Sequence, residues 1–498
     1  MKKTTRIVCM VLLLLTLLVP LAACSNNGDD KPSGGTSDTA KPSTPDTGGG
    51  DSSDTSAAQE EKFNLGGRTI TVMERELQDG TTTYYEINAP EVSAEVINNA
   101  LYERNLAIEE KLNITLKSLV LPADNATRRQ KLETTMKADE RICDFVMDYG
   151  GNTMYYAVNG MICDLNQLEY LNFDNPWWYT DTMNDTAING KNAFAVGDMC
   201  TASYTSTAVI FFNKSLAKEY DIGDCYQLVE DGEWTYEKHM TMGKHVSGDL
   251  NANGVVDAGD RFMLIAANWY YQPYFYGMGY KLLGTDANGN PQLGELSESQ
   301  YNALRSLIET VNSSDCWYKA KYDKQGSTTK TFQEGRGLFW VQLMVSSKSL
   351  RDAEFDFGIL PLPKRDVSQE EYISYLHTKT SLISIPVSTP DMDTVACVIE
   401  QMCKMSGDII RPAYFDVLFD GIIARDAEST KMLDIIYSNV YMDLVQPLVQ
   451  TGFSLDTVLR NAMDMNMSGA VSSIWKSNLT KNQKVIETVI EAFDEKVN

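Results

Sequence analysis

Histidine is scarce in this sequence, which has three in 498 residues: His239, His245 and His377. The first two are six residues apart, a spacing that does not place them on one face of a helix as a metal-binding pair. The sequence also lacks the GxSxG, HExxH, P-loop and dinucleotide-binding patterns. These absences argue against a serine hydrolase, a zinc protease and a nucleotide-binding enzyme. They leave open an enzyme with two catalytic carboxylates, because 68 acidic residues will always include a pair that looks suitable.

Positive charge is also scarce. The 43 lysines and arginines face 68 acidic residues, which gives a formal net charge of −25 at pH 7. Such a chain repels nucleic acid and anionic lipid headgroups. We therefore expect no nucleic-acid partner.

Cysteine provides neither a zinc-ribbon nor a disulfide pattern. The nine cysteines show no CxxC spacing, and an odd number remains once Cys9 and Cys24 of the N-terminal segment are set aside. We expect the others to be buried as small hydrophobic side chains. They are Cys143, Cys163, Cys200, Cys225, Cys316, Cys397 and Cys403.

The N-terminal segment has the parts of a secretory signal. Three basic residues within the first six precede an apolar run over residues 8–21, which is shorter than the ~20 residues of a comfortable membrane span. The run ends in Leu21-Ala22-Ala23-Cys24, which resembles a bacterial lipobox. The resemblance implies a signal peptide over residues 1–23 and a diacylglycerol thioether on Cys24, which would anchor the protein to the extracellular face of the cell membrane. An ordinary signal peptide with an incidental cysteine is the alternative.

Two regions follow the signal. Residues 24–62 are almost entirely small and polar, so they cannot bury apolar surface, and we predict a disordered tether. Residues 63–498 exceed what one hydrophobic core usually supports, so we expect two lobes.

Strand and helix signals alternate along this body. Residues 68–73 and 143–147 are predicted strands, and 93–112 carries a helical stripe of apolar residues. Ser297 and Gln300 form a capping box that begins a later helix. Strands separated by helices of this length predict parallel sheets and an α/β class.

Seven short motifs occur in one order along the body. They are 102–114, 144–165, Pro176-Trp177-Trp178, Phe212-Asn213-Lys214, Gly232-Glu233-Trp234-Thr235, 332–339 and 357–364. Together and in this order they resemble family 1 extracellular solute-binding proteins of ABC importers, the maltose-binding-like sugar-binding lipoproteins.

This resemblance implies a periplasmic-binding-protein-like fold, in which two α/β lobes joined by hinge strands hold a ligand in the cleft between them. It implies a monomer that captures a solute, an oligosaccharide, and delivers it to ABC permease subunits without acting as an enzyme. The expected boundaries are 63–171 plus 331–380 for lobe one and 172–330 plus 381–498 for lobe two, with crossings near 171–181, just before Phe332 and within 381–386.

One loop has the spacing of a calcium site. Oxygen-bearing side chains stand at loop positions 1, 3, 5, 9 and 12, with Gly254 at the sharp turn of position 6 and a backbone carbonyl at position 7. The loop ends in Asp rather than the Glu of an EF-hand, and in this it resembles a dockerin-type loop. We predict a structural Ca²⁺, with a solvated turn as the alternative. The predicted ligands are Asp249, Asn251, Asn253, the Val255 carbonyl, Asp257 and Asp260.

Candidate ligand contacts are aromatic or follow strand ends. Aromatic residues crowd 268–276, and sugars stack their C–H faces on such rings. In maltose-binding-like relatives the corresponding stretch supplies stacking residues, and open α/β sheets bind ligands at the carboxyl ends of their strands. Core packing or a solvated strand end is the alternative for each residue. The candidates are Trp269, Tyr271, Tyr149, Asp148, Asn152, Trp340, Gln342, Glu74 and Arg75, with Trp177 and Trp178 at the proposed hinge.

We therefore predict a lipid-anchored substrate-binding protein of an ABC transporter. Two alternatives remain open at this point: a membrane-anchored carbohydrate-active enzyme, and a surface binding protein with no part in transport.

Overall fold

The computed structural model describes residues 64–77, 84–93, 95–319, 321, 327–421 and 427–498. The chain divides into two units, Met1–Ala57 and Ala58–Asn498, and every described residue belongs to the second. The predicted signal peptide, the predicted tether and Cys24 lie outside the described residues. None of the described helices combines the length and apolar character that a membrane span needs.

Thirteen strands occur in the described part of the chain. In order they are β1 (Arg68–Arg75), β2 (Ile114–Leu121), β3 (Phe145–Tyr149), β4 (Ala208–Asn213), β5 (Phe262–Ala266), β6 (Gly284–Thr285), β7 (Pro291–Gln292), β8 (Cys316–Tyr318), β9 (Gly337–Leu343), β10 (Phe357–Leu360), β11 (Ser374–Tyr375), β12 (Ser381–Ser384) and β13 (Val440–Tyr441).

Fifteen α-helices alternate with these strands in the same ranges. They are α1 (Val96–Leu112), α2 (Asn125–Lys137), α3 (Gly150–Val158), α4 (Thr180–Thr186), α5 (Thr201–Ser206), α6 (Lys214–Glu219), α7 (Cys225–Glu230), α8 (Tyr236–Met242), α9 (Tyr271–Gly277), α10 (Glu298–Val311), α11 (Thr328–Gln333), α12 (Met392–Gly421), α13 (Ala427–Ser438), α14 (Leu455–Asp464) and α15 (Val471–Lys496). The capping box predicted at Ser297 is present at the start of α10 and is complete in both directions.

The first sheet has the order β12-β3-β1-β2. Its central strand β1 pairs in parallel with both β2 and β3, while β12 is antiparallel to β3 at the edge. Ile70, Val72 and Met73 of β1 are fully buried. A parallel strand that is buried in this way is covered by helices, here α1, which packs on β2, and α3, which packs on β3.

The second sheet has the order β10-β4-β9-β5-β8. Strand β5 is parallel to its neighbours β8 and β9, and β4 is antiparallel to β9 and β10. All five residues of β5 are buried, as are all six of β4. The two larger sheets confirm the predicted α/β class.

Strand pairing differs from the predicted lobe boundaries in two places. Strands β9 and β10 fall in the segment 331–380 that was expected in lobe one, yet they pair with β4 and β5 in the second sheet. Strand β12 falls in the segment 381–498 that was expected in lobe two, yet it pairs with β3 in the first sheet. The reason is that the apolar centres of β9 (Leu338–Val341) and β12 (Leu382 and Ile383) do not distinguish one buried sheet from the other. The boundaries as a whole stay a prediction.

Three neighbouring segments, 195–207, 376–383 and 441–447, are called the crossing segments here. The first leads into β4 of the second sheet, and the second leads from β11 into β12 of the first sheet. These two run alongside each other, since Ala195 bridges to Ile383 and Thr207 bridges to Leu376. In the third, the Tyr441 carbonyl accepts the Leu376 N–H at 2.7 Å. The segment expected to cross near 171–181 pairs with the first, since Trp178 bridges to Gly197, and the crossing positions stay a prediction.

The seven cysteines of the body are all buried, and none of them forms a disulfide. Burial raises the pKa of the Cys143, Cys163 and Cys225 thiols to about 12. These side chains therefore stay protonated at neutral pH, as expected for small hydrophobic core residues.

Candidate functional site

The carboxyl ends of the two sheets meet at the crossing segment 376–383. Strand β1 of the first sheet ends at Arg75, whose guanidinium donates to the Lys379 carbonyl. Strand β5 of the second sheet is followed by Trp269, whose ring lies edge-on to His377 with the centroids 5.9 Å apart. Because both sheets present their strand ends to the same few residues, this junction is the candidate functional site.

Strand β3 ends at the same junction, and helix α3 begins there. Tyr149 ends the strand, is half-buried, and provides no side-chain cap for the helix. A Cβ at Gly151 would lie 2.6 Å from the Tyr149 ring and 2.7 Å from Gln450, and one at Gly150 would lie 3.3 Å from Leu382. Glycine at these positions lets the crossing segments approach the first turn of α3, whose N–H groups form the positive end of the helix dipole.

Asp148 and Asn152, two predicted contacts, are enclosed by protein at this strand end. The Asp148 carboxylate accepts from Arg128 Nε at 2.8 Å, from Asn152 Nδ2 at 2.9 Å and from the Tyr156 hydroxyl at 2.9 Å. Both Asp148 and Asn152 are fully buried. These two side chains therefore organise the site and leave no exposed oxygen of Asp148 for a ligand.

Glu74 holds a loop rather than facing the junction. Its carboxylate accepts from the backbone N–H groups of Glu86 and Asn88, each at 2.9 Å, and from the Ser118 hydroxyl. Burial raises the pKa of Glu74 above its usual value, and the hydrogen bonds oppose this rise. Since successive residues of a strand point to opposite faces, Glu74 and Arg75 have different surroundings.

Glu86 and Arg104 are two buried charged residues that the sequence analysis did not identify. The Glu86 carboxylate accepts from the Thr201 N–H and hydroxyl at the start of α5, and burial raises the pKa of Glu86. Arg104 is fully buried and donates to the Glu86 carbonyl at 2.6 Å. Burial lowers the pKa of Arg104 to about 10, so it stays charged at neutral pH. No local pattern marks either residue, because the partners are far apart in sequence.

The predicted aromatic contacts separate into exposed and core rings. Trp269 remains half-buried at the junction. Tyr271 is fully buried and donates its hydroxyl to Asp456. Trp340 is fully buried in β9, with its ring centroid 5.4 Å from that of Phe211. Of these rings, Trp269 is the one that a ligand at the junction can reach.

The remaining predicted contacts are engaged within the protein. The half-buried Gln342 accepts the Leu343 N–H at 2.9 Å through its side-chain oxygen. The indole N–H groups of Trp177 and Trp178 donate to the two carboxylate oxygens of Glu400 on α12, at 3.1 and 2.9 Å. The tandem tryptophans therefore fasten their segment to α12. They also contact the crossing segment 195–207, since Trp178 bridges to Gly197 and the Trp177 carbonyl accepts the Asp198 N–H at 2.9 Å.

His377 sits between the two sheets as a neutral ring. Its Nδ1 accepts the Lys379 N–H at 3.1 Å, and burial together with the cations Lys379 and Arg460 lowers its pKa to about 3. The ring is therefore uncharged at physiological pH. The polar run 377–380, His-Thr-Lys-Thr, which lies between β11 and β12, is the sequence signal that could have indicated both His377 and Lys379.

The side chains of the predicted calcium loop converge on Asp257. The amide groups of Asn251 and Asn253 donate to its carboxylate at 3.2 and 2.7 Å, and Asp249 accepts the Gly254 N–H at 2.8 Å. Gly254 has φ +71°, as the sharp turn at position 6 requires.

These contacts bear on the fit of a cation. A 180° rotation of either asparagine amide would place its oxygen beside the Asp257 carboxylate. Amide and carboxylate oxygens are the donors that Ca²⁺ prefers. No group of three or more His, Cys, Asp or Glu side chains in the described ranges is placed to hold a metal. The three aspartates of the predicted set, Asp249, Asp257 and Asp260, are therefore not gathered around one point in this structure. Amide and backbone oxygens supply the other half of the set, and calcium at this loop stays a prediction.

Comparisons with known proteins identify the fold. No protein-family model matches the sequence, and no curated protein matches it. Among solved structures, the cyclic alpha-maltosyl-1,6-maltose binding protein from Arthrobacter globiformis has 13% identity and a TM-score of 0.55, with 86% of this chain and 100% of that chain covered.

Two further solved structures agree with this one. An ABC substrate-binding protein from Listeria monocytogenes in complex with cycloalternan has 14% identity, covers 84% of this chain and 99% of that chain, and has a TM-score of 0.53. A cyclo/maltodextrin-binding protein complexed with maltotetraose has 13% identity, coverages of 86% and 97%, and a TM-score of 0.52.

The chain therefore has the two-lobed fold of these substrate-binding proteins. The fold that was predicted from the resemblance to family 1 solute-binding proteins is confirmed.

Calcium removal should lower the melting temperature while leaving ligand binding intact, because the loop is separate from the junction. A bound ion stabilises the folded state by about 2.7 kcal/mol at a hundredfold excess over its dissociation constant. Calorimetry with and without a chelator measures this, and Asp257→Ala should melt like the chelated protein. Asp286→Ala, in the turn between β6 and β7, is the control and should keep the calcium response. An unchanged melting profile in a protein purified with calcium, together with no calcium by elemental analysis, would contradict the prediction.

Proposed function

We propose that the chain is an extracytoplasmic solute-binding protein that captures an oligosaccharide between its lobes and delivers it to an ABC permease. The observation that carries this proposal is the meeting of both sheets' strand ends at 377–379, where Arg75 arrives from one lobe and Trp269 from the other. A ligand held there contacts both lobes at once. The protein acts as a monomer in this scheme.

The chemistry of the junction supports a sugar. The half-buried Trp269 and Tyr149 offer ring faces to flat C–H surfaces, and the amide of the exposed Gln450 beside Gly151 offers a planar hydrogen-bonding group. The solved structures of similar fold bind cycloalternan, maltotetraose and cyclic alpha-maltosyl-1,6-maltose according to their descriptions. Oligosaccharides are therefore the first class of solute to test.

The crossing segments provide the means of closure. Three short segments connect the lobes, and such segments absorb rotation more readily than a packed core. A ligand that contacts both lobes binds the closed form more tightly and shifts the population toward closure. Closure is the signal that a permease reads.

Binding is favoured over hydrolysis by the state of the nearby carboxylates. Asp148, Glu74 and Glu86 are all buried, and each accepts at least three hydrogen bonds from protein groups. A glycosidase needs two carboxyl groups open to the scissile bond. None of these three is open in that way.

The proposed location is the outer face of the membrane. The Leu21-Ala22-Ala23-Cys24 sequence supports lipidation of Cys24, and the polar residues 25–62 would let the folded body stand away from the bilayer and reach the permease.

The function is tested by a panel of oligosaccharides read by thermal shift and calorimetry. At least one member should raise the melting temperature and be recovered unchanged, because a binding protein releases its ligand intact. Fluorescence or small-angle scattering should show closure on binding. Release of shorter sugars would instead indicate the carbohydrate-active enzyme, and no response to any saccharide would overturn the proposal.

Trp269→Ala should weaken saccharide binding by about 1–3 kcal/mol, the scale of losing one aromatic contact. The free energy of unfolding should change far less, because the ring is only half-buried. Trp340→Ala is the matched control, and its fully buried ring should cost about 3–5 kcal/mol of stability. Calorimetry and chemical denaturation measure both quantities. Strong destabilisation of Trp269→Ala with unchanged affinity per folded molecule would place this ring in the core.

Cys24→Ser should release the protein from the membrane fraction into the medium, because the serine cannot form the thioether. Cys9→Ser, within the predicted signal, is the control and should leave the protein anchored. Mass spectrometry of the N-terminal peptide identifies the lipid directly. An unmodified Cys24, or a Cys24→Ser protein that remains membrane-bound, would show that the anchor is wrong.

A further inference from the structure

We propose that the ligand is an anionic saccharide whose carboxylate or phosphate group binds between Arg75, Lys379 and the N-terminus of α3. This inference rests on the proposed function and names the class of saccharide. It follows from the distribution of charge, hydrogen-bond partners and backbone at the junction.

Cations collect at the junction of a strongly acidic protein. Arg75, Arg129 and Lys379 all lie around the first turn of α3 and the segment 376–383. In the described part of the chain none of the three forms an ion pair with a carboxylate. A cluster of unpaired cations in a chain of net charge −25 is a local concentration of positive potential.

The nearest carboxylates compensate this cluster only in part. Asp148 pairs with Arg128 at 2.8 Å, and Glu86 accepts from Thr201 while its own carbonyl accepts from Arg104. The charges of Glu86 and Asp148 also act on Arg75 and oppose the lowering of its pKa by burial. Among the described residues, Arg129 and Lys379 have no carboxylate of this kind and are left as excess positive charge.

Arg75 has a buried donor without a partner. One terminal nitrogen donates to the Lys379 carbonyl, while the buried Nε has no hydrogen-bond partner among the described residues. A buried N–H left unpaired is costly, and an anion at this point would satisfy it. Arginine in this position offers the forked geometry that carboxylates and phosphates accept.

Lys379 places a second cation beside the first. It is half-buried, its ammonium group makes no hydrogen bond to a described residue, and burial and the charge of Arg75 both lower its pKa. Two like charges held close together in a partly desolvated place repel each other. A ligand anion would remove that repulsion on binding.

The start of α3 adds backbone donors to the two side chains. Helix α3 begins at Gly150, and no side chain caps its first N–H groups. A Cβ at Gly150 would lie 3.9 Å from Thr378, so this turn is next to the residue before Lys379. Uncapped N–H groups at a helix N-terminus bind anions.

Arg129 is the third cation near the first turn of α3 and lies on the other side of that turn. It donates to Asn152 and Gln450, both at 3.0 Å, and these acceptors are neutral amides. Its charge is therefore also available to a ligand. Trp269, across the junction, is placed to stack on the sugar ring that carries the acidic group.

The test compares acidic saccharides with uncharged ones of the same backbone. Oligogalacturonate and its methyl ester form one pair, galactose phosphate and galactose form the second, and maltotetraose is a further neutral probe. Calorimetry on the full mature protein should show that an acid binds at least about tenfold more tightly than its neutral partner, and that this preference falls as ionic strength rises. The uronate and phosphate arms identify which acidic group the site takes.

Lys379→Gln should reduce affinity for the acid by about tenfold to a hundredfold and leave the neutral partner unaffected, as expected for the loss of a charge-assisted contact. Lys117→Gln is the matched control, since Lys117 is an exposed lysine of the same sheet, in β2. It should bind as the unmodified protein does. Arg129→Gln gives a second, independent reduction if Lys379→Gln folds poorly.

Different results would overturn the proposed anionic ligand and the proposed solute-binding function. Equal or tighter binding of neutral saccharides, or an acid-to-neutral ratio that Lys379→Gln does not change, would overturn the anionic ligand and leave the solute-binding function standing. Binding of no saccharide of either kind would overturn the proposed function itself.

Discussion

The site depends on the backbone pairing between the chain segments that cross from one sheet to the other. Thr207 bridges to Leu376 and Ala195 to Ile383, so the outgoing and returning chains lie side by side, and Tyr441 adds the third segment. Both sheets end on this junction, so its geometry is set by a few main-chain hydrogen bonds rather than by either hydrophobic core. Such a connection can change its angle without unpacking a lobe, as ligand capture between lobes requires.

Buried charges hold the groups around the junction in place. Arg128 and Asp148 form an ion pair with both side chains almost fully buried, and Arg104 fastens the loop at Glu86. Removing one partner of such a pair leaves a charge without compensation in the interior, which is strongly destabilising. Because these groups satisfy one another, they form a fixed frame. Arg75 and Lys379 are not part of this frame, so they can still form hydrogen bonds and ion pairs with a ligand.

Local structure was largely predictable from the sequence, and the site was predictable in part. The strand expected at 68–73 is β1, the helical stripe of 93–112 contains α1, and the capping box at Ser297 begins α10. The rule that ligands bind at strand ends predicted Arg75, and the aromatic stretch 268–276 predicted Trp269. Both lie at the junction, and their contact with a ligand stays a prediction. The strand-end rule gave no indication of Arg129, which reaches the junction from the middle of α2 rather than from a strand end.

By itself, the sequence determined the α/β class, the positions of its main strands and helices, and the strand ends around which a site could form, because periodicity, capping and turn signals act between near neighbours. Only the tertiary structure decided which sheet β9 and β12 join and which side chains remain open. Asp148 is closed by Arg128 from α2 and Tyr271 by Asp456 from α14, while Lys379 acquires no such partner in the part of the chain that the structure describes. The exposure of a side chain and the compensation of its charge depend on which side chains from distant segments pack against it. No local sequence pattern encodes those contacts.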